Sequence, residues 1–98
     1  MSAFNFEWDP DKAESNFRKH GISFEEAESV FFDEFARLIS DPDSSVDEER
    51  FILMGLSSQW NTLVVCHCYR DLGNKIRIIS ARKAEKRERK QYEGFRHA

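Results

Sequence analysis

The chain has 98 residues, too few for two hydrophobic cores of useful size, so we expect a single domain spanning residues 1–98. Nine Phe and two Trp exclude a disordered chain, and no apolar run approaches the roughly 20 residues that a membrane helix needs. The net charge is −3, but residues 1–49 carry 14 acidic and 4 basic side chains whereas residues 70–98 carry 10 basic and 4 acidic ones.

The N-terminal third predicts a short strand followed by two helices. Phe4–Trp8 alternates apolar and polar residues, as a strand does. Asp9 and Pro10 are suited to the start of a helix, which Gly21 ends, and Ser23 with Glu26 forms a capping-box pattern for a second helix. The apolar stripes of the two helices are predicted at Ala13, Phe17, Ala27, Val30 and Phe31.

Four strands and a charged helix are predicted in the remainder. The strands are Ala36–Ser40, Arg50–Leu56, Thr62–Arg70 and Lys75–Ala81, with an acidic loop over residues 41–49 and a final helix at Glu85–Gly94. Short turns between consecutive strands favour an antiparallel meander. The predicted fold class is α+β, an antiparallel sheet packed against two N-terminal helices and one C-terminal helix.

Two cysteines lie close together on the third of these strands. Cys66 and Cys68 are two residues apart, a spacing that rarely permits a disulfide, and reduced thiols suit the cytoplasm. Alternation places them on the face opposite to His67. A Cys-His-Cys metal site is therefore disfavoured, and we expect neither a metal nor another cofactor.

Three blocks of sequence carry a resemblance to a known family. Residues 6–12, Asn16 and residues 19–27 resemble the opening signature of BrnT toxins, and residues 48–51 resemble the family's mid-chain motif. The third block comprises residues 77–84, residues 86–89 and Tyr92. The blocks follow the family's order and cover essentially residues 6–93.

The resemblance implies a RelE-like fold and cytoplasmic cleavage of RNA. It also implies a partner, a BrnA-like antitoxin with a ribbon-helix-helix part, through which alone the complex would bind operator DNA. Two positions depart from the family pattern. Glu85 stands where a hydroxyl residue often caps the last helix, and Cys66-His67-Cys68 replaces more typical apolar or hydroxyl neighbours.

Metal-independent RNA cleavage requires cations for the phosphorane and groups that exchange protons. Arg82, at a strand end beside a helix N-terminus, is the first candidate for transition-state stabilisation, and Lys83 assists. Arg77 and Arg70 extend the predicted phosphate-binding surface along the last hairpin. The alternatives are a surface ion pair of Arg82 with Glu85 or Glu88, and a solvated sheet face for the others.

Proton transfer is assigned to His67 or to a nearby carboxylate such as Glu49, although a lone histidine is more often a packed residue. Further RNA contacts are predicted for four residues, each with a structural alternative: His20 at a helix end, Arg50 beside acidic neighbours, and Lys86 and Arg87 on the charged final helix.

Two other functions remain open. The absence of an obvious acid–base pair favours a non-catalytic module that completes a repressor complex with its antitoxin. Direct, sequence-specific DNA binding by this chain is disfavoured because no helix-turn-helix pattern is visible.

Trp60 and Tyr69 are candidates for stacking on unpaired bases, although ordinary packing is the commoner role of such aromatics. The acidic residues Glu25, Glu26 and Glu28 are expected to attract a basic antitoxin segment.

Overall fold

The computed structural model describes residues 5–40 and 50–97. In chain order the elements are β1 (Phe6–Glu7), α1 (Pro10–His20), α2 (Phe24–Ser29), a 3₁₀ turn (Val30–Phe32), β2 (Arg37–Ser40), β3 (Phe51–Leu56), β4 (Thr62–Arg70), β5 (Lys75–Lys83) and α3 (Lys86–Arg96). Every predicted helix and strand is therefore confirmed, with boundaries that move by a few residues. The predicted acidic loop at residues 41–49, including Glu49, lies outside the described residues.

The five strands form one mixed sheet in the order β1-β5-β4-β3-β2. Strands β2 to β5 pair antiparallel as predicted, but β1 runs parallel to β5, with Phe6 opposite Ile76 and Glu7 opposite Arg77. The prediction of a wholly antiparallel sheet is wrong at this edge. Short turns impose antiparallel pairing on consecutive strands only, whereas β1 reaches its neighbour after the rest of the sheet has been built.

The helices α1 and α2 cover one face of the sheet, which we call the covered face. Its core is a cluster of almost fully buried side chains: Ile22, Phe24, Ala27, Val30, Leu53, Leu63, Val65, Ile78 and Ala81. Residues of α2 and of three strands contribute, because alternate strand residues point to the same face. Burial of this apolar area is the main stabilising contribution to the fold.

Helix α3 packs on part of the opposite face, which we call the open face. Tyr92 is buried there with Met54, Val64 and Ala84, and its hydroxyl donates to Asp33 Oδ2 at 2.6 Å. Burial and this hydrogen bond raise the pKa of Tyr92 to about 12. Burial alone would raise the pKa of Asp33, but the amide of Leu56 and the Tyr92 hydroxyl hold it below its usual value.

Helix α1 has the predicted caps but a different buried side. Asp9 accepts a hydrogen bond from the amide of Asp11, and Gly21 ends the helix in the left-handed conformation at φ 73°. Phe17, predicted in the apolar stripe, is 55% exposed, whereas Asn16 is buried. Polar burial is tolerated because the Asn16 amide is fully engaged in hydrogen bonds, which periodicity cannot reveal.

Helix α2 anchors the turn between β3 and β4. Ser23 caps the helix by accepting from the amide of Glu26 at 3.0 Å, as predicted. The Glu26 carboxylate, however, accepts from Ser57 Oγ at 2.6 Å and from Asn61 Nδ2 at 2.8 Å. Glu26 is thus a structural residue, and it is a poor choice for testing antitoxin binding by charge reversal.

Candidate functional site

A cleft of about 250 Å³ lies on the open face where three distant segments meet. His20 at the end of α1, Arg50 just before β3 and Arg82 of β5 all line it. Cys66 and Ser80 form part of its wall. We call this the arginine cleft. It brings together three of the nine residues that the sequence predicts as catalytic or RNA-binding. Nothing in their spacing along the chain predicts that they lie close together.

A β-bulge in β5 shapes the wall of the arginine cleft. Cys66 pairs with Ser80 and His67 pairs with Ile78, so Ile79 is an extra residue that shifts the alternation of side chains. Ile78 and Ala81 both stay in the core of the covered face, while Ser80 and Arg82 border the cleft. Bulges re-aim side chains in this way and are common beside functional sites.

Asn16 holds β5 beside this bulge. Its Oδ1 accepts from the amide of Ala81 at 3.1 Å, and its Nδ2 donates to the carbonyls of Ala81 at 2.9 Å and Ile22 at 3.0 Å. The side chain thus pairs with the edge of β5 one residue before Arg82. Asn16 belongs to the sequence signature that resembles the BrnT family, but nothing in that signature predicts this positioning role.

Arg82 makes a two-pronged ion pair with Glu88 of α3. The two terminal guanidinium nitrogens contact the two carboxylate oxygens at 2.8 and 3.0 Å. The hydrogen bond to Glu88 raises the pKa of Arg82, and the same bond lowers the pKa of Glu88. The ion pair that the sequence left as an alternative is therefore present. Such a fork also fixes the direction in which the guanidinium points.

Glu88 has a second task in the same place. It accepts a hydrogen bond from the amide of Glu85 at 2.8 Å, which satisfies one of the free N–H groups at the start of α3. Glu85 occupies the N-cap position predicted from the sequence. The carboxylate of Glu88 thereby joins the N-terminus of α3 to the end of β5 and holds Arg82 between them.

Arg50 lines the arginine cleft and contains a buried donor that is unsatisfied within the described part of the chain. Its side chain is half-buried, and its Nε is buried without a hydrogen-bond partner among the described residues. A buried guanidinium donor without an acceptor costs free energy, roughly 1–3 kcal/mol. Because Arg50 also lines the cleft, the planar guanidinium group makes the cleft suited to a phosphate ligand.

Arg77 and Arg70 do not line the arginine cleft. Arg77 is paired with Glu7 of β1, with 2.8 Å between its guanidinium and the carboxylate, and Lys75 lies 3.9 Å from the same carboxylate. Arg70 is opposite Lys75, as the hairpin geometry predicts, at the far end of the strand pair. These residues form a separate charged region near β1.

The basic residues near α3 lie around the cleft without lining it. Lys83 lines a second cleft, which lies between the β3–β4 turn and α3. Lys86 and Arg87 are exposed and border a shallow surface formed by α3 alone. They extend positive charge away from Arg82 along the helix.

His67 is part of the core on the covered face. Its ring is fully buried and packs edge-on against Phe31 and Tyr69, with centroids 4.9 and 5.4 Å apart. Burial lowers the pKa of His67, and the Val65 carbonyl, 3.4 Å from Nδ1, acts in the opposite sense. A side chain without solvent access cannot contact RNA, so the expected proton transfer by His67 is wrong, and the packed alternative holds.

Cys66 is half-buried, Cys68 is buried, and no disulfide joins them. Within residues 5–40 and 50–97, no group of three or more His, Cys, Asp or Glu side chains is arranged to hold a metal ion. No helix in the described part of the chain is both long and apolar enough to cross a membrane.

The architecture and the cleft define a small α+β protein with converging cations on one sheet face. Its structure is similar to that of the Brucella abortus ribonuclease toxin BrnT, with a TM-score of 0.64 and 21% identity over 85% of this chain and 99% of the other. Residues 8–88 match the family described as "Ribonuclease toxin, BrnT, of type II toxin-antitoxin system". The chain therefore belongs to the BrnT family of type II toxins. The comparison with curated proteins gives no match.

Proposed function

We propose that this chain is a metal-independent endoribonuclease that cleaves single-stranded mRNA in the cytoplasm and thereby inhibits translation. The observation that carries the proposal is the convergence of Arg50 and Arg82 in one cleft. Membership of a family of ribonuclease toxins supports the same reaction class. The proposal treats residues 1–98 as one domain with a RelE-like fold.

In the proposed mechanism a scissile phosphate occupies the arginine cleft. The ribose 2′-oxygen loses its proton to a base and attacks phosphorus, the bond from phosphorus to the 5′-oxygen breaks, and that oxygen receives a proton. The products are a 2′,3′-cyclic phosphate and a 5′-hydroxyl. Arg82 and Arg50 stabilise the negative charge that accumulates on the phosphorane. Electrostatic stabilisation of this kind is usually the largest single contribution to catalysis.

His20 replaces His67 as the candidate for proton transfer. Its imidazole lines the same cleft as the two arginines, whereas His67 is buried on the other side of the sheet. An imidazole can serve as either the base or the acid in such a step. Glu49, adjacent to Arg50 in sequence, stays the second candidate. Lys83, Lys86, Arg87, Arg70 and Arg77 bind more distant phosphates in this proposal.

The test is cleavage of an end-labelled RNA by purified protein with Arg82→Ala and Arg50→Ala beside the wild type. Loss of one fixed cation at a transition-state charge lowers kcat by about 100- to 1,000-fold. Arg18→Ala is the matched control, because Arg18 is an exposed arginine paired with Glu14 on α1. Wild-type rates in Arg82→Ala, with unchanged thermal unfolding, would remove Arg82 from the site.

The arrangement of Arg82 also favours a second function, a non-catalytic module of a repressor complex. Both terminal nitrogens of Arg82 are bound to Glu88, which would have to yield before phosphate is bound in the same way. Strong expression of the chain without an antitoxin separates the two functions. Growth arrest with fragmented RNA supports the nuclease, whereas unimpaired growth with abundant folded protein supports the module.

We propose a BrnA-like antitoxin with a ribbon-helix-helix part as the partner, which binds operator DNA on behalf of the complex. The type II family implies an antitoxin, and the acidic N-terminal half suits a basic segment of it. Glu25→Lys with Glu28→Lys leaves the Glu26 hydrogen bonds in place and is expected to lower antitoxin affinity. Unchanged affinity in a titration would place the antitoxin elsewhere.

A further inference from the structure

Trp60 is unusual in two respects. Its side chain is 79% exposed, and its backbone has φ 63° in the turn between β3 and β4. The left-handed region costs a bulky L-residue about 1–2 kcal/mol relative to helical or extended backbone. An exposed indole also gains little burial in return. Neither feature stabilises the fold, which points to a role in binding.

The turn that carries Trp60 is held firmly. The amide of Trp60 donates to the carbonyl of Ser57 at 3.0 Å, and the amide of Ser57 donates to the carbonyl of Asn61 at 2.8 Å. Glu26 binds the side chains of Ser57 and Asn61, and Ser29 Oγ accepts from the amide of Ser58 at 2.8 Å. The indole is therefore presented by a pre-organised support, which lowers the entropic cost of binding.

Positive charge surrounds the indole. Trp60 lines a cleft of about 420 Å³ between the turn and α3, and this volume lies within the usual range of ligand sites. Lys83, Arg89 and Arg96 also line it, with Glu93 as the one acidic residue of the lining described. A flat aromatic face beside several cations is the combination that binds unpaired nucleotides, through stacking on the base and ion pairing with the phosphate.

We propose that Trp60 forms a base-stacking subsite for single-stranded RNA, with Lys83 and Arg89 binding the adjoining phosphates. The inference rests on the proposed nuclease function and extends it to the nucleotides that flank the cleaved bond. Lys83 directly follows Arg82, so the two clefts share the end of β5. A protein partner is less favoured because a segment that covers this cleft would have to neutralise its cations.

The test measures binding of a fluorescent ten-nucleotide RNA that carries 2′-O-methyl groups and so cannot be cleaved. Stacking contributes about 1–3 kcal/mol per base, so Trp60→Ala should raise the Kd about 5- to 150-fold. Trp60→Phe should retain most of the affinity, because phenyl also stacks. The slope of log Kd against log salt should be unchanged in Trp60→Ala but smaller in Lys83→Ala, since only the lysine contacts phosphate.

Leu72→Ala is the matched control. Leu72 is also a fully exposed apolar residue at positive φ, 55°, but it lies in the turn at the other end of β4 and lines neither cleft. Its affinity for the RNA should equal that of the wild type. A second comparison uses an RNA with one abasic position, for which the difference between wild type and Trp60→Ala should shrink if the missing base is the one that stacks.

The outcomes separate this inference from the proposed function. If Trp60→Ala binds RNA like the wild type while Arg82→Ala loses cleavage, the stacking subsite is wrong and the nuclease proposal stands. If Trp60→Ala loses affinity while Arg82→Ala cleaves normally, the subsite stands and the arginine cleft is wrong. Wild-type protein that binds no RNA overturns both. Loss of antitoxin affinity alone in Trp60→Ala overturns the subsite in favour of a protein anchor.

Discussion

The covered face and the open face of the sheet use the same strands for opposite purposes. On the covered face, side chains such as Val65 and Ile78 are fully buried against α1 and α2. On the open face, α3 leaves part of the sheet uncovered, and Arg50 and Arg82 line the cleft that remains. The alternation of strand residues allows one sheet both to stabilise the fold and to display cations.

The difference shows where each face tolerates polar groups. The covered face contains His67 and Asn16 as buried polar residues, and burial excludes both from contact with RNA. The open face keeps its charged groups half-exposed and paired, as Arg82 is with Glu88. Substitutions on the covered face should therefore change stability most, and substitutions on the open face should change binding or catalysis most.

The largest stability effect is expected for Asn16→Ala. This substitution also tests whether a change on the covered face affects catalysis on the open face. The substitution leaves the amide and carbonyl of Ala81 and the carbonyl of Ile22 without their partner. Each unsatisfied buried group costs roughly 1–3 kcal/mol, so the free energy of unfolding, measured in urea, should fall by at least about 3 kcal/mol. Ser15→Ala, at the exposed neighbouring position of the same helix, is the control and should change little. A loss below about 1 kcal/mol would contradict the inference that the hydrogen bonds of Asn16 hold β5 in place.

If Asn16→Ala is still folded at low temperature, its cleavage rate tests the coupling. Ala81 precedes Arg82, so a loosened strand end should lower the rate even in molecules that are folded. An unchanged rate would show that the open face does not depend on this contact.

The next effect in size is expected for Gly55→Ala in β3. A Cβ atom there would lie 2.9 Å from Ala36 Cβ and from Val30 Cγ1, and 3.0 Å from Asp33 Oδ2. Overpacking of this kind costs about 1–3 kcal/mol. Gly94→Ala is the matched control, since nothing lies within 4 Å of a Cβ at that helical position. It should stabilise α3 by roughly 0.5–1 kcal/mol. Equal melting temperatures for the two variants would refute the predicted crowding.

The third prediction concerns the pH dependence of stability. Burial holds the folded-state pKa of His67 below its unfolded value, so the unfolded chain binds the proton more readily. Stability from this group is full above the unfolded pKa, near 6.5, and is lost as the pH falls toward the folded pKa. His67→Phe should flatten the fall in urea midpoint between about pH 7 and pH 5, and exposed His97→Gln should not. A fall of equal steepness in His67→Phe and wild type would contradict the assignment.

The smallest expected effect is a gain. Trp60→Gly removes a bulky side chain from a left-handed backbone position, so it should stabilise the protein by about 0.5 kcal/mol and weaken RNA binding at the same time. Opposite changes in stability and affinity are typical of residues retained for function. A lower melting temperature would instead assign Trp60 a structural role.

The sequence predicted the elements well because the local signals agree with the fold. Strand β4 has the predicted bounds, and the caps at Asp9, Gly21 and Ser23 are confirmed. The sequence does not predict the parallel pairing of β1 because β1 and β5 are distant in the chain, and turn residues indicate only the pairing of consecutive strands. Phe17 was misplaced because apolar periodicity could not show that the hydrogen-bonded amide of Asn16 would be buried in its stead.

The candidate site was predictable in residue type but not in arrangement. Arg82 and its alternative partner Glu88 were both identified, and the structure joins them. The meeting of Arg82 with Arg50 and His20 depends on the bulge at Ile79, which has no signature in period-two alternation. His67 was nominated because it is a histidine on a strand, and only the packed rings around it reveal its burial.

The contacts of β5 have a consequence for the order in which the chain folds during synthesis. The side chains of Phe24 and Val30 share their core with Ile78 and Ala81, and β1 pairs with β5 alone. At 5–20 residues per second, the ribosome takes roughly 3–11 s to proceed from residue 24 to residue 81. During that interval the helices have no β5 to pack against, and the arginine cleft lacks Arg82. The proposed nuclease would therefore be inert as a nascent chain until β5 and Arg82 have been synthesised.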